Sequence, residues 1–137
     1  MSKREDIVQK MFELISGQRT AKLGVVSRDP IITTELPRTG FPCVHIEAAN
    51  EDRLPLSNGM YESEFETELV ISVNGKERDK QRNVVMAAIE KTLMEDTDLQ
   101  ALVSEMYISR IENIEVGEGA PHASIRMTVF SRYCYTI

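Results

Sequence analysis

Few residues of this chain could do chemistry, and they are widely spaced. There are two cysteines, Cys43 and Cys134, and two histidines, His45 and His122. Cys43 and His45 stand two apart, so on a strand they share a face. A metal site or a nucleophile–base pair needs a third converging group, and the spacing marks none. Cys43 also lacks the local basic neighbour that would lower a thiol pKa. The cysteine spacing matches no zinc pattern. Two buried thiols in a reduced compartment are expected, with a disulfide left open. The serines have no nucleophile-elbow context. "NGKERD", residues 74–79, holds a Gly-Lys pair without the glycine spacing of a phosphate loop, and reads as a strand-to-helix turn. We therefore assign no catalytic, cofactor-binding or metal residue, and expect a protein that is not an enzyme.

Carboxylates are the other candidates. Glu62, Glu64, Glu66 and Glu68 recur at period two, which on one strand gives a row of like charges about 7 Å apart. Three readings stay open. The row is a solvated sheet face, or it meets arginines such as Arg126 and Arg132 on another strand or a neighbouring subunit, or it walls an opening. Nothing beside it marks a catalytic carboxylate pair. Arg28, Arg38, Arg78, Arg82, Arg110, Arg126 and Arg132 are scattered, without the basic stripe and interleaved aromatics of a nucleic-acid reader.

The elements that must carry these residues follow from periodicity. Residues 3–16 predict a helix, with Ile7, Met11, Leu14 and Ile15 on one stripe, widened by Val8 and Phe12. Ser2 is its candidate cap with Glu5 three residues on, and Gly17 its stop. Residues 21–30 predict a short strand ending at Pro30, and 43–52 another. Residues 50–63 read as the most loop-like and mobile segment, although Asn58-Gly59 also suits a hairpin. "FETELVISVNGKERD", 65–79, begins with a strand that sets Phe65, Thr67, Leu69, Ile71 and Val73 against Glu66, Glu68, Val70 and Ser72. Its length suggests a central strand. Asp79 is a candidate cap for a helix over 80–94, whose stripe is Val85, Ala88, Ile89 and Leu93, widened by Val84 and Met94. Asp96 or Thr97 begins a short extra turn with Leu99, Leu102 and Val103 inward. Residues 106–116 form a strand whose phase breaks near Glu112-Asn113, as at a bulge. A turn is expected at 117–121. Residues 122–135 alternate Ala123, Ile125, Met127, Val129, Ser131, Tyr133 and Tyr135 against Ser124, Arg126, Thr128, Phe130, Arg132 and Cys134. This order predicts an α+β fold: a mainly antiparallel sheet with two principal helices on one face.

With 137 residues, one domain spanning 1–137 is the default. Hydrophobic residues at 42% and charged residues at 28% describe an ordinary globular chain rather than a disordered one. Sixteen basic against twenty-two acidic side chains give a net charge of −6, which disfavours wrapping nucleic acid over most of the surface. No run approaches the roughly 18 apolar residues of a membrane span, and no signal peptide is expected.

The layout resembles the tail terminator, or tail completion, proteins of long-tailed bacteriophages, also described as minor tail or head–tail joining proteins. Four stretches carry the resemblance: the opening helix "REDIVQKMFELI"; "VVSRDP" followed by "FPCVHIEAANED"; "ETELVISVNG" leading into "RNVVMAAIEKTLMEDTDLQALV"; and the closing strand "ASIRMTVFSRYCYTI". The resemblance covers nearly the whole chain and rests on layout, not on a signature motif. It implies a small α+β subunit that self-associates into a ring, usually a hexamer. Such a ring caps the tail tube, ends its polymerisation and joins the tail to the head. Its implied partners are the tail tube protein, a head–tail connector protein, and DNA passing through the lumen without sequence-specific binding. The resemblance implies no cofactor and no membrane. The implied location is the virion tail or neck, after assembly in the host cytoplasm. The glutamates at 62–68 would face the lumen or form subunit ion pairs, and the 50–63 loop matches no family role. A head–tail connector component is the nearest alternative. A small α+β enzyme or ligand-binding domain, with Cys43 and His45 at its site, is the alternative from another class.

Overall fold

The computed structural model describes residues 2–114 and 122–136. Helix α1 (Lys3–Gly17) comes first, then a two-residue strand β1 (Val26–Ser27). Strands β2 (Cys43–Pro55) and β3 (Met60–Asn74) follow, then helix α2 (Arg78–Glu95) and the short α3 (Thr97–Ala101). Strands β4 (Glu105–Ile114) and β5 (His122–Thr136) close the order. The five strands lie as β1-β2-β3-β5-β4. Only β1 and β2 run parallel; the other three pairings are antiparallel. This is the mixed α+β fold expected, with a largely antiparallel sheet and helices packed against it.

The pairing of β3 with β5 runs unbroken from Met60↔Thr136 to Asn74↔His122. Strict alternation on both strands makes this register nearly unique, because a one-residue slip would turn every apolar side chain outward. Phe65, Leu69, Ile71, Val73, Ile125, Met127, Val129 and Tyr133 are all buried on the helix side. They meet Ile7, Val8, Met11 and Ile15 of α1 and Val85, Ala88, Ile89 and Leu93 of α2 in one hydrophobic cluster. The expected stripes were therefore right at their centres. Val84 is the exception: it points to solvent.

The helix ends show local chemistry at work. Ser2 Oγ accepts the Glu5 amide at 3.1 Å, as a cap should. The Glu5 carboxylate is engaged by Arg28, which holds the end of the β1 segment against α1. That guanidinium's hydrogen bonds hold Glu5 below the ordinary carboxylate pKa. Asp96 accepts the Leu99 amide at 2.8 Å and caps α3. Asp79 is not the cap of α2. The helix starts one residue earlier, at Arg78, behind Glu77 with a left-handed φ of 57°. Asp79 instead sits in the first turn and pairs with Arg82 at 2.9 Å.

Residues 50–63 are not a loop. They continue β2 to Pro55 and begin β3 at Met60, so a long hairpin replaces the expected mobile segment. Asn58 and Gly59 reverse the chain at φ 61° and 74°, positions that favour Asn and Gly. A bulge between Ala48 and Glu51 shifts the register and erases the alternation that would have marked the strand. The segment over 21–30 is strand only at Val26–Ser27. Its preceding backbone ties to the 40–42 loop instead, through Gly24 N to Pro42 O at 2.8 Å and Val25 N to Gly40 O at 3.0 Å. In β4 the irregularity falls between Ile108 and Arg110, earlier than Glu112-Asn113. The expected turn at 117–121 and the strand end at 115–116 lie outside the described residues.

Candidate interaction surface

The sheet face opposite the helices carries the polar rows of β3, β5 and β4. Register decides who meets whom: Glu64 lies opposite Arg132, Glu66 opposite Phe130, and Glu68 opposite Thr128. On the other side of β5, Glu105 lies opposite Arg132, Tyr107 opposite Phe130, and Glu112 opposite Arg126. Arg132 is held by Glu64 at 3.1 Å, Glu62 at 3.3 Å and Glu105. Arg126 reaches Glu112 at 3.1 Å and Glu68 at 3.8 Å. Between these clusters the Tyr107 and Phe130 rings pack with centroids 4.9 Å apart, tilted by 31°, and the Arg132 guanidinium lies 5.4 Å from the Phe130 ring.

Of the three readings of the glutamate row, the one that pairs it with Arg126 and Arg132 on another strand matches these contacts. The pairing lies within the chain and is incomplete. Glu66 makes no ion pair among the described residues. Six carboxylates (Glu62, Glu64, Glu66, Glu68, Glu105, Glu112) share these three strands with three arginines (Arg110, Arg126, Arg132), so the face keeps negative charge. Partly exposed pairs of this kind add little stability. Their effect is to orient the face.

Two strand edges are open. Among the described residues, β4 has no partner on its outer side, and β1 covers only Val44 and His45 of β2. Tyr107 and Ile111 are exposed on β4. At the far end of β2 the hairpin tip exposes Leu54, Leu56 and Met60, by 60%, 41% and 40%. Exposed edges and clustered apolar side chains are the usual sites of chain–chain pairing.

One buried polar centre was missed in the sequence. The bulge in β2 turns Glu51 to the helix side, where its side chain is 4% exposed. It accepts hydrogen bonds from Arg4 at 3.1 Å, from Tyr133 Oη at 3.1 Å and from Arg53. Burial alone would raise the carboxyl pKa, but hydrogen bonds from Arg53, Arg4 and Tyr133 outweigh it and hold the group below its ordinary value. A glutamate in the polar run Asn50-Glu51-Asp52-Arg53 gave no sign of this. Only an alternation resumed out of phase, after the bulge, could have shown it.

Of the residues singled out for chemistry, Cys43 and His45 line one cavity, but no third metal-ligating group joins them among the described residues. Cys43 is buried. Burial pushes its thiol pKa up, against weaker opposing hydrogen bonds with Ser72 and backbone. His45 shares with it a small cavity of about 270 Å³, lined also by Pro30, Ile31, Val70 and Ile114, with no carboxylate among the described lining residues. No group of three metal-ligating side chains occurs among the described residues. Cys134 is half-buried, not buried as expected. It lies opposite Glu62, whereas Cys43 lies opposite Ser72, which pairs with Ser124. Ten residues of β5 therefore separate the thiols by about 33 Å along the strand, far beyond disulfide reach. No helix is long and apolar enough to cross a membrane among the described residues. No protein-family model matches the chain, and no curated protein matches it significantly.

Proposed function

We propose that this chain is a structural subunit of a long-tailed bacteriophage. Copies join into a ring, most simply a hexamer, that caps the tail tube, ends tube polymerisation and binds the head–tail connector. DNA passes through the lumen without sequence-specific contact.

The observation that carries the self-association is the pair of unlike edges left open among the described residues, β4 on one side of the sheet and the outer half of β2 on the other. They are different surfaces, so their union is heterologous and can close into a ring. β2 and β4 run in opposite directions. A β4 edge laid against the β2 edge of the next copy, in the same orientation, would therefore continue the antiparallel alternation. The excess carboxylates of the open face support its assignment to the lumen, where negative charge discourages adhesion of DNA phosphates.

The test is light scattering over a concentration series, with negative-stain images, on the parent and on Ile111→Lys. A charge at this exposed edge position should block edge pairing and leave the monomer folded. A ring formed by the parent and lost in the variant supports the reading. Monomers at every concentration, together with no affinity for the ends of isolated tail tubes, would sink it.

A further inference from the structure

On the open face of the sheet, a polar cavity of about 460 Å³ lies over the middle of β5. Thr128 is at its centre: it lies opposite Glu68 of β3 on one side and Arg110 of β4 on the other. Glu66, Glu112 and Arg126 stand around it. The two guanidinium groups are already engaged. Arg126 holds Glu112 at 3.1 Å and Glu68 at 3.8 Å, and Arg110 holds Glu112 at 3.1 Å. Three carboxylates against two guanidiniums leave one negative charge, and the pairing leaves it on Glu66. That carboxylate is half-buried and has no ion pair or hydrogen bond among the described residues. Residues 115–121 include no lysine, arginine or histidine, so no basic side chain there answers it.

A second observation is independent of the carboxylates. Thr128 is only 8% exposed, yet its hydroxyl makes no hydrogen bond among the described residues. The bond that Ser109 Oγ donates to this residue, at 3.3 Å, goes to its backbone carbonyl. A polar side chain this buried and without a partner is uncommon. It faces the cavity, because Thr128 shares with Arg126, Phe130 and Arg132 the side of β5 turned away from the helices.

We infer that this cavity binds a primary ammonium group on a short aliphatic chain, the chemistry of a polyamine or of a lysine side chain. An alkylammonium has three donors and no acceptor. Glu66 and Glu68 offer it charged oxygens and Thr128 a neutral one, and hydrogen bonds between ionised groups are the strong ones. A bare metal ion fits less well, since no group of three metal-ligating side chains occurs among the described residues. The volume falls in the range of small-molecule sites and leaves room for several methylenes. Glu66 lies opposite Phe130, and Phe130 opposite Tyr107, so a chain leaving the ammonium on that side runs beside two aromatic rings. The site lies within one chain and does not require the ring.

The test is an amide NMR titration of the full chain with 1,4-diaminobutane, Nα-acetyl-lysine amide and tetramethylammonium, all at one ionic strength. The two primary amines should give saturable shifts centred on Glu66, Ser109 and Thr128, and the tighter of them names the source. Tetramethylammonium carries the charge without an N–H donor and should bind about tenfold more weakly. Glu66→Gln should weaken amine binding about tenfold and Thr128→Val about threefold, the losses of a charged and a neutral hydrogen bond. The control Glu95→Gln removes an exposed carboxylate of α2 and should change nothing. Equal binding of tetramethylammonium, binding unchanged in either site variant, an equal loss in Glu95→Gln, or no saturable shift at the site would each overturn the inference.

Discussion

Replacing Glu51 gives the sharpest test of how the hairpin is anchored to the body. Its carboxylate joins Arg4 of α1, Arg53 of β2 and Tyr133 of β5. Removing one partner of a fully buried ion pair costs about 3–5 kcal/mol. That upper range does not apply here in full, because the Arg4 side chain is 33% exposed and can recover water. The phenol of Tyr133 cannot: the residue is 2% exposed, and a buried donor left without an acceptor costs about 1–3 kcal/mol. Glu51→Ala should therefore lose about 2–3 kcal/mol. At about 3–4 °C per kcal/mol for a chain of this size, that is a fall in Tm of about 6–12 °C. Glu51→Gln keeps an acceptor oxygen and should lose about half as much. The pH dependence separates charge from packing. The folded-state pKa of Glu51 lies below its unfolded value of about 4.3, so its stabilisation is present above that pH and fades as pH falls through the folded pKa. The parent should lose more stability than Glu51→Gln on acidification from about pH 5 to pH 3. Urea unfolding followed by circular dichroism measures both effects. An alanine variant within about 0.5 kcal/mol of the parent, or a glutamine variant with the parent's pH slope, would refute the reasoning.

Gly24→Ala should destabilise by about 2–3 kcal/mol, since its Cβ would stand 2.3 Å from the carbonyl of Gly40 and 2.7 Å from Thr39 O, all backbone atoms that cannot turn aside. Gly17→Ala, with nothing within 4 Å, is the control, expected to stabilise by about 0.5–1 kcal/mol in thermal unfolding. Alkylation followed by mass spectrometry should label half-buried Cys134 first and buried Cys43 only as the fold opens; equal rates would contradict the described burial. Arg132→Ala releases Glu62, Glu64 and Glu105 from their shared partner. Added salt should therefore stabilise that variant more than the parent, and parallel salt curves would show that the cluster carries no charge coupling.

The sheet and its two covering helices were legible because β3 and β5 separate two environments along their length. Each inward position needed an apolar or small side chain, and each outward one tolerated charge, so period two survived in the sequence. The hairpin was illegible for the converse reason. Leu54, Leu56 and Met60 project to solvent, so the residues between 50 and 63 do not divide cleanly into inner and outer sets. The bulge then inverted the phase at Glu51. In β4 the break expected near Glu112-Asn113 falls instead between Ile108 and Arg110. The pairing of Glu64 with Arg132 could be listed among alternatives but not chosen, because it depends on the β3–β5 register. Glu66, Arg110 and Thr128 reach one cavity from three strands, and no local spacing records that.

The internal pairing of the open face also divides the surface between two tasks. Arg126 and Arg132 are already engaged by carboxylates of their own chain. A second copy approaching this face would have to compete with those pairs and would meet residual negative charge, so the face is a poor glue. The β4 edge, the outer part of β2 and the tip with Leu54, Leu56 and Met60 present the opposite case. There, unpaired backbone groups and exposed apolar side chains gain from being covered. Under the ring proposal, then, association belongs to the edges and tip, and the charged face is left to line the passage. Charge reversal at Glu66 and an edge block at Ile111 therefore act on separable properties, the potential of the lumen and the existence of the ring.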